Sequence, residues 1–304
     1  MNDGLQNKKE RNEPMTQRKT SMLNKLLRLC LIAVLLAVTA GGARATETEN
    51  LGIHVLPAAK PPAIDGSLTG WDLSGGVFAC GDVENTREQY SVWFHAMYDA
   101  ENLYLLARWN DPTPLNNPGQ TIANFGWEGD CLQVRLIMKD KESAFNCWKG
   151  ADGKDVVQGY PKEAKVVVPA GIDMKPDGIQ QAFKVDADGK GYAQVITIPW
   201  KLLTPDKAPL KAGDIFTMNI EPNFTVGKKG RWSIKDIFKP GITPDRVFTF
   251  MSKTCWGPAW LEAKGNLTPR PVRLAGAREF PVKLEKGVPV VDWTGLIVAR
   301  EIKG

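Results

Sequence analysis

Apolar residues along this 304-residue chain come in short runs broken by turn chemistry, and no long stretch carries a stripe at helical spacing. That pattern predicts short strands packed as a sandwich or barrel. The clearest hairpin runs along Ser91–Tyr98, turns at Asp99–Asn102 and returns along Leu103–Trp109. Asp and Asn suit the turn because their side chains bond their own backbone. A second hairpin is expected from Ile179–Val185, a turn at Asp186–Gly189, and Tyr192–Ile198, stopped by Pro199. Further strands are expected at Cys131–Met138, Val166–Val168, Ile215–Glu221 and Val247–Met251. Connections rich in Pro, Gly and Asn, Asp111–Gly126 and Pro222–Gly230, are expected to gather at an edge and build a binding surface.

One apolar run stands apart. Lys25 and Arg28 precede Leu29–Ala40, and Ala43-Arg44-Ala45 follows it, the layout of a secretory signal peptide. The run is short for a bilayer span. Cleavage is expected to leave Thr46 first, which makes the protein secreted or periplasmic and without a membrane partner. Cys30 stands at the start of the run, so it does not read as a lipid-attachment site, and Met15 and Met22 offer later start positions. At the other end, Pro269, Pro271, Pro281 and Pro289 exclude a helix within Leu261–Gly304, and Val288–Ile302 suits one or two strands. The expected organisation is a leader over 1–45, a sandwich domain over 46–260, and an extension over 261–304 that adds edge strands or serves as a tether.

Charge changes its meaning once the leader is set aside. The first 45 residues hold eight of the 39 Lys/Arg and three of the 34 Asp/Glu, which leaves 31 of each. The remaining chain is formally neutral and has no Lys/Arg-rich block, which argues against a nucleic-acid or anionic-membrane surface. Four cysteines follow the leader: Cys80, Cys131, Cys147 and Cys255. Cys131 and Cys147 flank the polar turn Lys139–Glu142, and both a bridge between them and two core thiols remain open.

Several segments, in order, resemble carbohydrate-binding module family 9. They are Pro62-Ala-Ile-Asp-Gly66 with Trp71, Ala96-Met-Tyr-Asp-Ala-Glu-Asn-Leu-Tyr-Leu105, and Trp127-Glu-Gly-Asp130 leading into Leu132-Gln-Val-Arg-Leu136. Gly191-Tyr-Ala-Gln-Val-Ile-Thr-Ile-Pro-Trp200, Gly213-Asp214 and Phe216-Thr-Met-Asn-Ile220 continue the series. The resemblance covers about residues 51–260 and implies an all-β antiparallel sandwich of the DOMON-like type, with long loops and an oligosaccharide or polysaccharide as ligand. It also allows a structural calcium whose ligands it does not place, and an accessory role beside carbohydrate-active enzymes.

The residue chemistry agrees with a sugar ligand. Ten tryptophans, all after residue 45, supply flat faces on which pyranose rings stack. Trp93, Trp109 and Trp200 sit in or beside strand patterns and are assigned to packing. Trp127, Trp256 and Trp260 lie in loops and are the ligand candidates. By resemblance, Trp127 is the first of two tryptophans that sandwich the sugar, and Trp256 or Trp260 the second. Gln133 takes the place of a family Glu three positions after the Asp, and Glu221 takes the place of a Gln in the Asn219-Ile220 strand.

Enzyme readings find no support. His54 and His95 are the only histidines, no nucleophile or metalloprotease motif is present, and nothing selects one pair of carboxylates. The chain reads as non-catalytic, with no required cofactor. Asp186–Gly191 is like the start of a calcium loop but lacks the closing Glu, and reads as a hairpin turn. The alternative is a haem b-binding, electron-transfer DOMON-like domain, because Arg108-Trp-Asn-Asp-Pro-Thr113 is similar to such subunits. The nearby ligand candidates are His95 and Met97, but strand alternation puts both on one side of one strand, so they cannot clamp an iron together.

Overall fold

The computed structural model describes residues 47–49, 52–124, 126–160, 172–225, 237–238, 256–274 and 278–296. The expected signal peptide, Cys255, and the strands expected at Val166–Val168 and Val247–Met251 lie outside the described residues. The first four strands are β1 (Thr48–Glu49), β2 (Ile53–Pro57), β3 (Val77–Cys80) and β4 (Ser91–Tyr98), with the helical turn α1 (Val83–Thr86) ahead of β4. Asp82 caps α1 by accepting the Asn85 N–H at 3.2 Å. Then come β5 (Asn102–Asn110), β6 (Cys131–Met138), β7 (Lys141–Lys149), β8 (Asp155–Gly159) and β9 (Ile172–Asp173). The remainder of the sandwich is β10 (Gln180–Val185), β11 (Gly191–Pro199), the turn α2 (Trp200–Leu203), β12 (Ile215–Thr225), β13 (Ile237–Phe238) and β14 (Gly257–Leu261).

Strands β2 to β14 form one curled sheet in the order β10-β11-β5-β4-β2-β14-β12-β6-β7-β8-β9, with β3 on β4 and β13 on β12. Its two halves face each other across one core. Alternation decides which residues enter it. Leu103, Leu105, Ala107 and Trp109 of β5, Leu132, Val134, Leu136 and Met138 of β6, and Phe216, Met218, Ile220 and Phe224 of β12 all lie within that core. Burying each large aliphatic or aromatic side chain contributes about 1.5–3 kcal/mol, which makes this layer the main source of stability. The halves join through β2, which runs parallel to both β4 and β14. Both expected hairpins are present: β4 pairs with β5, and β10 with β11.

Pro222 was expected to open a loop but lies inside β12. It falls between the last pairing with β14 at Met218 and the first with β13 at Phe224. On that side its missing N–H is not called upon.

The hairpin flanked by Cys131 and Cys147 forms as β6 and β7, but it pairs Cys147 with Leu132. That one-residue offset puts Cys147 in the core and Cys131 on the outer face with Trp148 and Val156, so no bridge joins them. Burial pushes the Cys147 thiol well above its usual range and the Cys80 thiol up to about 11.

After residue 261 the chain supplies strands, but they do not lengthen an edge of the large sheet. Strand β15 (Val272–Leu274) pairs with β1 and with β16 (Glu279–Phe280), while β17 (Val282–Glu285) and β18 (Val288–Val291) form a separate hairpin. Val272, Leu274 and Phe280 pack with Phe78, Cys80 and Val83 in a second, smaller core. Partly buried Trp93 and Trp293 border it.

Candidate functional site

The outer face of β12 is polar at every second position from Thr217 to Thr225, because the intervening residues fill the core. Register extends one of these positions into a row. Glu221 stands opposite Gln133, Gln133 opposite Asn146, and Asn146 opposite Gln158, one residue from each of four adjacent strands. All four are buried. The Asn146 Nδ2 donates to Gln158 Oε1 at 2.9 Å, and Gln158 Nε2 donates to the carbonyls of Ile122 and Asn124. Beside the row, Arg135 donates from Nη1 to Glu221 Oε2 and from Nη2 to Gln133 Oε1, each at 3.4 Å. The guanidinium thus holds Glu221 and Gln133 as a unit. The Tyr160 phenol is a further neighbour, and burial pushes it up to about 12.

Flanking Glu221 on β12 are Asn219 and Asn223, each 0% exposed. Neither amide oxygen nor amide nitrogen of either residue has a hydrogen-bond partner among the described residues. An enclosed polar group without a partner costs about 1–3 kcal/mol. Four such atoms on one face are therefore costly to the fold and suited to a ligand that both donates and accepts.

The loop between β5 and β6 frames the site. Asp130 is buried and accepts the Asn116 N–H at Oδ2 (2.6 Å) and the Thr225 N–H at Oδ1 (2.7 Å), which ties the loop to the end of β12. Burial and the nearby Asp111 carboxyl raise the Asp130 pKa well above the usual carboxylate range. Trp148 lies beneath the same loop, donating from Nε1 to Gly119 O at 3.0 Å.

The five sequence-derived ligand candidates separate. Gln133 and Glu221 are direct cross-strand neighbours. Trp127, half-buried, lies in the short 3-10 turn Gly126–Glu128, which packs against β6, β7 and β12. Trp256 is 8% exposed and directly precedes Gly257, the partner of Met218, so it stands at the register position of Asn219. Trp260 is not brought there. It pairs with Ile215, six residues along β12 from Glu221, a distance of about 20 Å at the rise of an extended strand. Its ring stacks instead on His54, 5.2 Å away. Arg135, Asn146, Gln158, Asn219 and Asn223 were not among the candidates, although the period-two polarity of β12 marks Asn219 and Asn223 beside Glu221.

Trp109 and Trp200 are buried in the core, and Trp93 packs on the outer face of β4, half-buried against Phe78 and His95 beside the smaller core. The two haem-ligand candidates, His95 and Met97, are both buried on the outer face of β4. Met97 Sδ accepts the Asp72 N–H at 3.2 Å, and His95 is fully enclosed beside Gly76 and Leu73, where burial pushes its pKa down to about 3. Asp186–Gly191 forms the turn between β10 and β11, with Asp186 N donating to Gly191 O at 2.9 Å. Among the described residues no cluster of three or more His, Cys, Asp or Glu side chains is placed to hold a metal.

No protein-family model and no curated protein matches the chain in sequence. Among solved structures, a carbohydrate-binding module of family 9 from Caldicellulosiruptor kristjanssonii in complex with cellotriose is similar at TM-score 0.48 and 15% identity, over 73% of this chain and 99% of that one. The same organism's family 9 module in complex with glucose is similar at TM-score 0.46 and 16% identity, over 71% and 98%. A proposed carbohydrate-binding protein from Bacteroides uniformis is similar at TM-score 0.50 and 12% identity, over 70% of this chain and 100% of that one. At that identity the shared property is the fold: this chain is an all-β sandwich with the architecture of the Bacteroides uniformis protein.

Proposed function

We propose that this protein is an exported, non-catalytic carbohydrate-binding protein whose sugar site is the outer face of β6, β7 and β12. The observation that carries the reading is the row Glu221–Gln133–Asn146 beside two enclosed asparagine amides that have no partner among the described residues. Sugar hydroxyls donate and accept at once, and amides paired with a carboxylate and a guanidinium answer both needs. Trp127 and Trp256 flank the row and supply apolar faces for stacking. The Bacteroides uniformis protein of the same fold carries the same proposed activity. The leader pattern over residues 1–45 supports export.

Calorimetric titration with glucose, cellotriose and a panel of neutral oligosaccharides tests the reading. Binding by the wild type, weakened at least ten-fold by Glu221→Gln or Asn219→Ala with an unchanged melting temperature, is the expected result. Ten-fold corresponds to about 1.4 kcal/mol. Undiminished binding by both folded variants would move the site elsewhere, and no binding to any sugar would sink the carbohydrate reading.

A further inference from the structure

The opposite half of the sandwich carries a second cleft with complementary chemistry. Cross-strand register sets its floor: Trp93 of β4 faces Arg108 of β5, Arg108 faces Ala193 of β11, and Ala193 faces Lys184 of β10. Ala193 has no bulk to fill the space between Arg108 and Lys184, and the cleft there is about 290 Å³. That is near the lower end of the roughly 300–1,000 Å³ typical of small-molecule sites, which suits a single sugar ring.

Three groups in the cleft have ligand-binding chemistry. Trp93 is half-buried, held by Phe78 and His95, and it lines the cleft. Arg108 Nη1 is shielded from solvent and has no hydrogen-bond partner among the described residues. Asp186, exposed at the hairpin turn, also lines the cleft. The Arg108 and Asp186 charges act on each other, yet no ion pair between them forms among the described residues. A donor and an acceptor held apart in this way match two adjacent hydroxyls, one oxygen accepting from the guanidinium and the other O–H donating to the carboxylate.

We infer that this cleft is a second sugar subsite, on the face of the sandwich opposite the Glu221 row, taking one neutral pyranose over Trp93 with two adjacent hydroxyls held by Arg108 and Asp186. The subsite rests on the carbohydrate reading, and it would make the protein bivalent toward a glycan.

The test uses the full chain with indole-¹⁵N tryptophan, titrated with glucose and with cellotriose while the Trp93 resonance, assigned by Trp93→Phe, is followed. The expected result is a saturable shift at Trp93 that survives Glu221→Gln and is weakened ten-fold or more by Asp186→Ala and by Arg108→Met. Asp186 is exposed, so its substitution leaves folding intact and keeps the test clean. Binding that leaves Trp93 unmoved and is abolished by Glu221→Gln would overturn the second subsite while sparing the first. Absence of binding to either sugar and to the neutral panel would overturn both together.

Discussion

Asn219 and Asn223 are fully enclosed, yet each presents an amide with no partner among the described residues. Removing such a group relieves its desolvation cost, so Asn219→Leu and Asn223→Leu are each expected to be neutral or to stabilise by about 1 kcal/mol, while sugar affinity falls. Urea midpoints beside calorimetric titrations check this. Destabilisation beyond about 2 kcal/mol would show that the amides hold the fold together. Asp111 and Asp130 give a second residue-scale expectation. Both carboxyls lie above their unfolded value of 3.8, raised chiefly by burial, and Asp111 raises Asp130 further. The stability they contribute is complete below that value and is lost as pH rises through the raised pKa. Asp111→Asn keeps an acceptor for the Thr113 N–H and removes one of the two charges. Its stability should therefore fall less steeply with rising pH than that of the wild type, as chemical denaturation between pH 4 and 8 would reveal.

At the scale of elements, legibility followed local chemistry. The β4–β5 and β10–β11 hairpins were readable because Asp99, Asn102 and Asp186 form turns through their own side chains and backbone. Strands β2 and β3 are short and follow no hairpin turn, and their packing partners include residues distant in sequence. The candidate site was half readable. Gln133 and Glu221 came from resemblance, but Asn146 and Gln158 join them only through the register of β7 and β8, set by the turns at Lys139-Asp140 and Asp152-Gly153 and visible only once both hairpins are paired. Trp93 packs as its strand pattern suggested, but against the smaller core and not the main one, because β4 is apolar on both faces: the main core takes Val92 and Phe94, and the outer layer covers His95 and Met97. Burial of the whole polar row also has a kinetic consequence. A sugar must wait for the face to open, so its association rate should fall below about 10⁵ M⁻¹s⁻¹, measurable by stopped-flow tryptophan fluorescence. Association well above 10⁶ M⁻¹s⁻¹ would mean an open groove.

At the scale of the molecule, the strands after residue 261 act as a separate pad against β3, far in the topology from the Glu221 row. Phe280→Ala should destabilise by about 3–5 kcal/mol, since Phe280 is 2% exposed in the small core. Sugar affinity at the Glu221 face should be unchanged in the same variant, and a matching loss of affinity would contradict this separation. The joint between the two halves has a consequence of another kind. Strand β2 is held on both sides, and its partner His54↔Trp260 spans nearly the whole described chain. Such a pairing raises contact order, and loop closure must precede its reward. During synthesis the sandwich therefore has no completed seam until residue 261 emerges, and the growing polypeptide stays open for most of its elongation.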